Sequence, residues 1–158
     1  MVSCIPELLQ ELPTLTSQVI HGDYSLVNLM FDSGRLTAVL DFRPPDPFFI
    51  AYELGRIAFQ PNTVVNNPDW VEAARVLVRA YIDQNPDVAA TDVRACGRVA
   101  LLQLLRSLYG IKQHYMGSGL LQDDLDAFWL LRHETVSRLL ANLRLIDEML
   151  SAFSTGRA

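Results

Sequence analysis

Lysine is almost absent from this chain: Lys112 is the only one, and no arginine precedes Arg35. With 13 basic against 18 acidic residues the formal charge is −5. That balance lacks the clustered positive surface that neutralises phosphates, so nucleic-acid binding is not expected. Cysteine is nearly as scarce. Cys4 and Cys96 have neither metal-ligand spacing nor the numbers for a disulfide framework, so both read as small apolar residues and a reducing cytoplasm is the expected setting. Histidine occurs only at His21, His114 and His133, too far apart to spell a paired-metal motif. Long apolar runs are missing too. Arg98, Arg106, Arg132 and Arg138 interrupt the leucine-rich stretches, Glu7 and Glu11 interrupt the N-terminal one, and no basic leader opens it, so neither a membrane span nor export is expected. There is no repeat or low-complexity tract, and Gly117-Ser118-Gly119 is too short for an interdomain linker.

What is present points to one compact unit. The length of 158 residues, half of them hydrophobic, suits a single domain over 1–158 with a substantial core. Its most informative stretch is His21-Gly22-Asp23-Tyr24-Ser25-Leu26-Val27-Asn28, followed thirteen positions later by Asp41-Phe42. Two alternating apolar segments, Asn28 to Phe31 and Leu36 to Leu40, flank the turn signal Asp32-Ser33-Gly34-Arg35, which predicts a β-hairpin. Its antiparallel ladder brings Asn28 opposite the neighbourhood of Asp41 at the open end, with Asp23 just ahead of the first strand. Phosphoryl transfer needs such a set: a carboxylate to accept the proton of an attacking hydroxyl, and hard oxygens to hold magnesium. Taken singly, each of these residues is equally at home in a turn, as Asp32 is. Their order, spacing and intervening hairpin argue for a joint role.

The pattern His-Gly-Asp-x-x-x-x-Asn, hairpin, Asp-Phe resembles the catalytic core of the aminoglycoside phosphotransferase and choline kinase group, small-molecule relatives of the protein kinases. The resemblance implies an ATP- and Mg2+-dependent transfer of phosphate to a hydroxyl of a small molecule. It makes Asp23 the catalytic base and Asn28 and Asp41 the metal ligands, with His21 and Gly22 shaping the loop and Phe42 packing beneath it. The stretch Ala51-Tyr52-Glu53-Leu54-Gly55 stands where the family opens a helix with an acidic residue, so Glu53, in place of the usual Asp, is the candidate brace of the loop. Ser25 and Leu26-Val27 depart from the family's His and Pro-Gly, and Asp41-Phe42-Arg43-Pro44-Pro45-Asp46-Pro47 is unusually rich in proline. Asp46 reads as a turn residue ahead of a third acidic group, and the role of Arg43 is open.

The resemblance implies an α+β, mainly helical fold: the C-terminal lobe of a protein-kinase-like fold, with a lead-in helix and strand over 1–20, the catalytic and metal-binding hairpin over 21–42, and about four to five helices over 50–152. Periodicity places a short buried helix from Tyr52 to about Gln60, then a loop through Pro61-Asn62 and Asn66-Asn67-Pro68. A second helix is capped by Asn67 and carries Trp70, Ala74 and Val78. A third, capped by Thr91, carries Val93 to Ile111, and a single fourth runs from Leu125 to Met149. Phe128 and Trp129 fall in the apolar stripe of that helix and read as core. Arg106, Tyr109, Lys112, His114 and Tyr115 stand where the family builds its acceptor pocket, though solvated helix charges and a helix cap explain them as well.

The resemblance also implies an N-terminal lobe with a phosphate-pairing lysine and an adenine hinge. Twenty residues without a basic side chain precede His21, so the nucleotide-clamping lysine is absent. The chain reads as a truncated lobe, inactive alone, or as one whose partner lobe is a separate chain. An exposed apolar patch near Val19, Ile20 and Leu40 would then favour self-association. The sequence is more similar to the homoserine-kinase and amino-alcohol-kinase branches than to the antibiotic-modifying ones, so a hydroxyl-bearing metabolite is the first expectation and an aminoglycoside-like acceptor the second. A noncatalytic scaffold and a metal-dependent hydrolase are the alternatives.

Overall fold

The computed structural model describes residues 6, 9–10, 12–42, 46–106 and 122–155. The β part comes first: β1 (Ser17–Val19), β2 (Leu29–Asp32), β3 (Arg35–Val39) and β4 (Pro47–Phe49), with short 3-10 turns at Leu12–Thr14 and Leu26–Asn28. The helices follow as α1 (Ile50–Ala58), α2 (Pro61–Asn66), α3 (Trp70–Gln84), α4 (Ala90–Arg106), α5 (Gln122–Ala141) and α6 (Leu143–Thr155). This is the mainly helical α+β lobe that the resemblance implied. Of the lead-in helix and strand expected over 1–20, residues 1–5, 7–8 and 11 lie outside the described residues, and the strand is β1.

Two antiparallel pairs hold the β part. β1 pairs with β4, Ser17 opposite Phe49 and Val19 opposite Pro47; proline, which cannot donate to a ladder, stands at the first residue of an edge strand. The Ile50 N–H extends this pairing to Thr16 O at 3.1 Å. The chain entering the His-Gly-Asp loop is thereby zipped to the chain entering α1. β2 and β3 form the predicted hairpin, Leu29 opposite Val39 and Asp32 opposite Arg35. Ser33 and Gly34 take φ of 48° and 78°, the two positive values that a tight hairpin turn with right-handed strand twist requires. A bulge at Thr37 interrupts the register, and its hydroxyl donates to Met30 O at 3.2 Å.

The helical body differs from the periodicity reading in four places. Pro61–Asn66 is a helix and not a loop, because Pro61 stands in its first turn, where its missing N–H has no partner to lose. Asn67 does not cap α3 directly; its Oδ1 accepts the N–H of Asp69 at 2.9 Å, and Asp69 holds the cap position. Thr91 lies inside α4, which begins at Ala90. The expected fourth helix is divided at Asn142, whose backbone N–H and side-chain amide both donate to Arg138 O, at 3.1 and 2.9 Å.

α1 crosses α4 at the closest approach. A Cβ on Gly55 would stand 2.2 Å from Cys96 O, and one on Gly97 would stand 2.6 Å from Ile146 Cγ2, so the absence of side chains lets three helices meet. Around this contact Phe59, Val64, Leu101, Leu139, Ile146 and Leu150 are buried. Asp92 is fully buried as well, its Oδ1 accepting the N–H of Thr16 at 2.9 Å, which ties β1 to the first turn of α4. The β part is covered far less. Val19, Val27, Met30, Phe31, Leu40 and Phe42 are exposed, Val27 to 80%, while Ile20 is half-buried. The apolar patch expected around Val19 and Leu40 therefore extends along the hairpin. Among the described residues no helix is long and apolar enough to cross a membrane.

Candidate active site

The pairing of β1 with β4 delivers the His-Gly-Asp loop directly onto the first turn of α1. Gly22 takes φ of 80°, a conformation that a Cβ disfavours, and consecutive N–H groups of the loop meet one carboxylate. Glu53 Oε1 accepts the N–H of His21 at 3.0 Å and Oε2 accepts that of Gly22 at 2.7 Å. Both are charge-assisted bonds, and the acidic residue lies in the first turn of α1, where the helix dipole favours it. Tyr52, the preceding residue, donates its hydroxyl to Gly22 O at 3.4 Å.

His21 is buried and connects the loop to the hairpin. Its Nε2 lies 2.7 Å from Leu40 O, and its Nδ1 accepts the N–H of Asp23 at 3.2 Å. Those partners call for a ring protonated at Nε2 and bare at Nδ1. Leu40 is held from both sides, since its own N–H donates to Asn28 O at 2.8 Å. Asn28 donates Nδ2 to Asp23 O at 2.9 Å, which leaves its Oδ1 as the amide oxygen not spent on that bond. Loop, start of β2 and end of β3 thus converge through His21, Asn28 and Leu40.

Asp41 follows Leu40, exposed, with φ of 59°. A non-glycine residue in the left-handed region is uncommon and is maintained by its surroundings. Asn28 and Asp41 offer an amide oxygen and a carboxylate, hard donors of the kind magnesium takes. Among the described residues no three His, Cys, Asp or Glu side chains cluster as a metal site, so any ion here would rest on this mixed pair. Phe42 packs against the His21 ring, with centroids 4.4 Å apart, yet stays 67% exposed; it flanks the loop instead of lying beneath it.

The Asp23 carboxylate is ion-paired with Arg56, each side chain retaining 24% of its exposure. Arg56 and Gln60 are the contacts that the sequence reading missed. Gln60 Oε1 accepts the N–H of Leu26 at 3.1 Å. A signal was available for Arg56, which follows Glu53 at the i, i+3 spacing of one helix face; Gln60 lies past the end of α1, and each of the three holds a different part of the loop.

Beside the loop runs a groove of about 760 Å3, bounded by Leu29 and Phe31 of the hairpin and by Ile57, Leu77 and Tyr81 of the helices. Burial pushes the Tyr81 phenol above its ordinary value, with Asp92 and Glu53 adding to the shift. Of the remaining candidates, Asp46 and Arg106 are exposed. Arg43, Tyr109, Lys112, His114 and Tyr115 lie outside the described residues.

A helical lobe that holds a His-Gly-Asp loop and a two-stranded hairpin against the first turn of a helix is the C-terminal lobe of a protein-kinase-like phosphotransferase. The chain belongs to the phosphotransferase enzyme family, whose model matches residues 4–92, more than half of its length. The match takes in the loop, the hairpin and α1 to α3, and ends in the first turn of α4. No curated protein and no solved structure matches the chain.

Proposed function

We propose that this lobe carries the acceptor-activating and metal-holding half of an ATP-dependent small-molecule kinase. Asp23 accepts the proton of the acceptor's hydroxyl as the oxygen attacks the transferred phosphoryl group. Asn28 and Asp41 hold Mg2+, which when bound offsets the charge on the nucleotide phosphates. Glu53 fixes the loop, His21 and Gly22 shape it, and Phe42 flanks it. The observation that supports this reading is the pair of hydrogen bonds from the His21 and Gly22 amides to the Glu53 carboxylate, which anchors the loop that carries Asp23. A hydroxyl-bearing metabolite is the acceptor, and a cytoplasmic setting fits the free buried thiol of Cys96.

No lysine or arginine among the residues ahead of Arg35 is placed to present the phosphates. We assign that task to an N-terminal lobe outside these residues, with the exposed apolar hairpin as the surface it covers. Without that lobe the purified chain turns over no ATP with any acceptor; turnover that disappears in Asp23→Ala would show the lobe to be dispensable. Calorimetric titration of Mg2+ with and without ATP, on wild type and Asp41→Ala, tests the assignment itself. Binding that needs ATP and is lost in the variant is the expected result. Metal-dependent phosphate release without nucleotide would make the protein a hydrolase, and normal folding with no metal response would make it a scaffold.

A further inference from the structure

The 3-10 turn Leu26–Asn28 carries one of the two metal-ligand candidates, yet little in its own residues holds it. None of its three residues is buried, Val27 is 80% exposed, and Ser25 at its start makes no side-chain cap. Its ties through Asn28, to Asp23 O and to the Leu40 N–H, reach only the loop and the hairpin. Gln60 supplies the link to the helical body. It is buried, and its Oε1 accepts the Leu26 N–H at 3.1 Å; among the described residues no other helix side chain hydrogen-bonds the turn. The acceptor is itself fixed. Gln60 holds the cap position of α2, its carbonyl accepts the Val64 N–H at 3.0 Å, and Arg138 of α5 donates Nη1 to Val64 O at 3.2 Å.

This chain departs from the family pattern at the same place. Leu26-Val27 stands where the pattern has Pro-Gly. A proline there would fix φ and have no N–H to give, so the bond to Gln60 could not form. The backbone is nonetheless one that proline accepts. Ser25 is extended, with φ of −148° and ψ of 160°, and Leu26 is the first residue of the turn, the two conditions that proline sets on its neighbour and its own place. Leucine brings an N–H and an unrestrained φ. The bond to Gln60 uses the first and restrains the second.

We propose that Gln60 is the positioning residue of the metal-holding end of the site. Its bond to Leu26 takes the place of the proline's restraint, fixing the turn and with it the direction in which Asn28 presents Oδ1. Glu53 thereby holds the half of the loop that leads to Asp23, and Gln60 holds the half that leads to Asn28. The metal role rests on the phosphotransferase reading, whereas the restraint on the turn is a property of the chain without metal or nucleotide.

The test is a double-mutant cycle on the 158-residue chain with Gln60→Ala, Leu26→Pro and the two together, Gln60→Glu being the variant that keeps an acceptor oxygen. One readout is hydrogen exchange of the Asn28 backbone N–H, which donates to Ser25 O at 3.0 Å, without metal or nucleotide. The other is the Mn2+ concentration that half-broadens the Asn28 resonances in the presence of ATP. Gln60→Ala is expected to speed the exchange and to raise that concentration, each about tenfold for one lost hydrogen bond, with exchange in α4 and α6 unchanged. Gln60→Glu is expected to stay within about twofold of wild type in both. In the Leu26→Pro background, where no N–H needs an acceptor, Gln60→Ala is expected to worsen neither readout. Equal losses in the two backgrounds, an Asn28 amide unaffected by Gln60→Ala, or faster exchange spread through α4 and α6 would overturn the proposal. A wild-type chain without ATP-dependent broadening at Asn28 would overturn the metal role together with the phosphotransferase reading, and the exchange measurement then decides the restraint by itself.

Discussion

Glu53→Ala removes the one side chain that receives two loop amides, and the size of the loss can be worked from its bonds. His21 N–H at 3.0 Å and Gly22 N–H at 2.7 Å both end on its carboxylate. A hydrogen bond to a charged acceptor contributes about 1.5–3 kcal/mol. Glu53 is only half-buried and water can replace part of the interaction, so the lower end applies and the pair is worth about 3 kcal/mol. Glu53→Gln keeps one acceptor and turns an NH2 group toward the other amide, so it loses about half of that or somewhat more. Urea unfolding gives the stability difference, and amide hydrogen exchange reads the two N–H groups individually. Loss of protection at His21 and Gly22, with α3 and α6 still protected, is the expected pattern. A destabilisation below about 1 kcal/mol with the Gly22 amide still protected would refute the bracing role.

Gly55→Ala forces a Cβ to 2.2 Å from the backbone oxygen of Cys96 and should cost about 3 kcal/mol. Gly97→Ala meets side-chain atoms of Ile146 and Leu150 in place of backbone and gains about 1 kcal/mol of helix propensity, so urea midpoints should show it milder although the stiff Ile146 must shift; a larger loss than for Gly55→Ala would contradict the close crossing of α1 and α4. Burial pushes the Cys96 thiol up to about 12, so between the unfolded value of about 8.5 and about 12 the unfolded chain has released a proton that the folded chain keeps. That contribution is complete below the unfolded value and is lost as pH rises, at up to about 1.4 kcal/mol per pH unit. Stability curves against pH for wild type and Cys96→Ala should diverge above pH ~8.5, and parallel curves would refute the shift. The exposed hairpin surface predicts self-association by sedimentation, reduced in Val27→Glu; a strict monomer at high concentration would count against it.

The hairpin was legible because its signals are local: a period of two on either side of Asp32-Ser33-Gly34, and a turn whose conformation glycine favours. Glu53 was legible through the resemblance. Arg56 and Gln60 were not read, because their partners are distant in sequence; Arg56 is linked to Glu53 only by helical spacing, and Gln60 lies past the end of that helix. Pro61 reads as a breaker in the sequence, although the first turn of a helix accepts proline. The division at Asn142 was hidden because the apolar period continues across it, from Leu139 to Ile146. Arg132 reads only as an interruption of a leucine-rich run, since nothing local tells a solvated arginine from one folded into the interior.

The central claim is that Asn28 and Asp41 form the metal-holding end of a phosphotransferase hairpin. Paramagnetic broadening of amide resonances by Mn2+, recorded with and without ATP, tests it most directly and detects weak binding. The account predicts ATP-dependent broadening centred on Asp23, Asn28 and Asp41 that vanishes in Asp41→Ala. Broadening unaffected by that substitution, or centred on surface carboxylates such as Asp83 and Glu148, would contradict it.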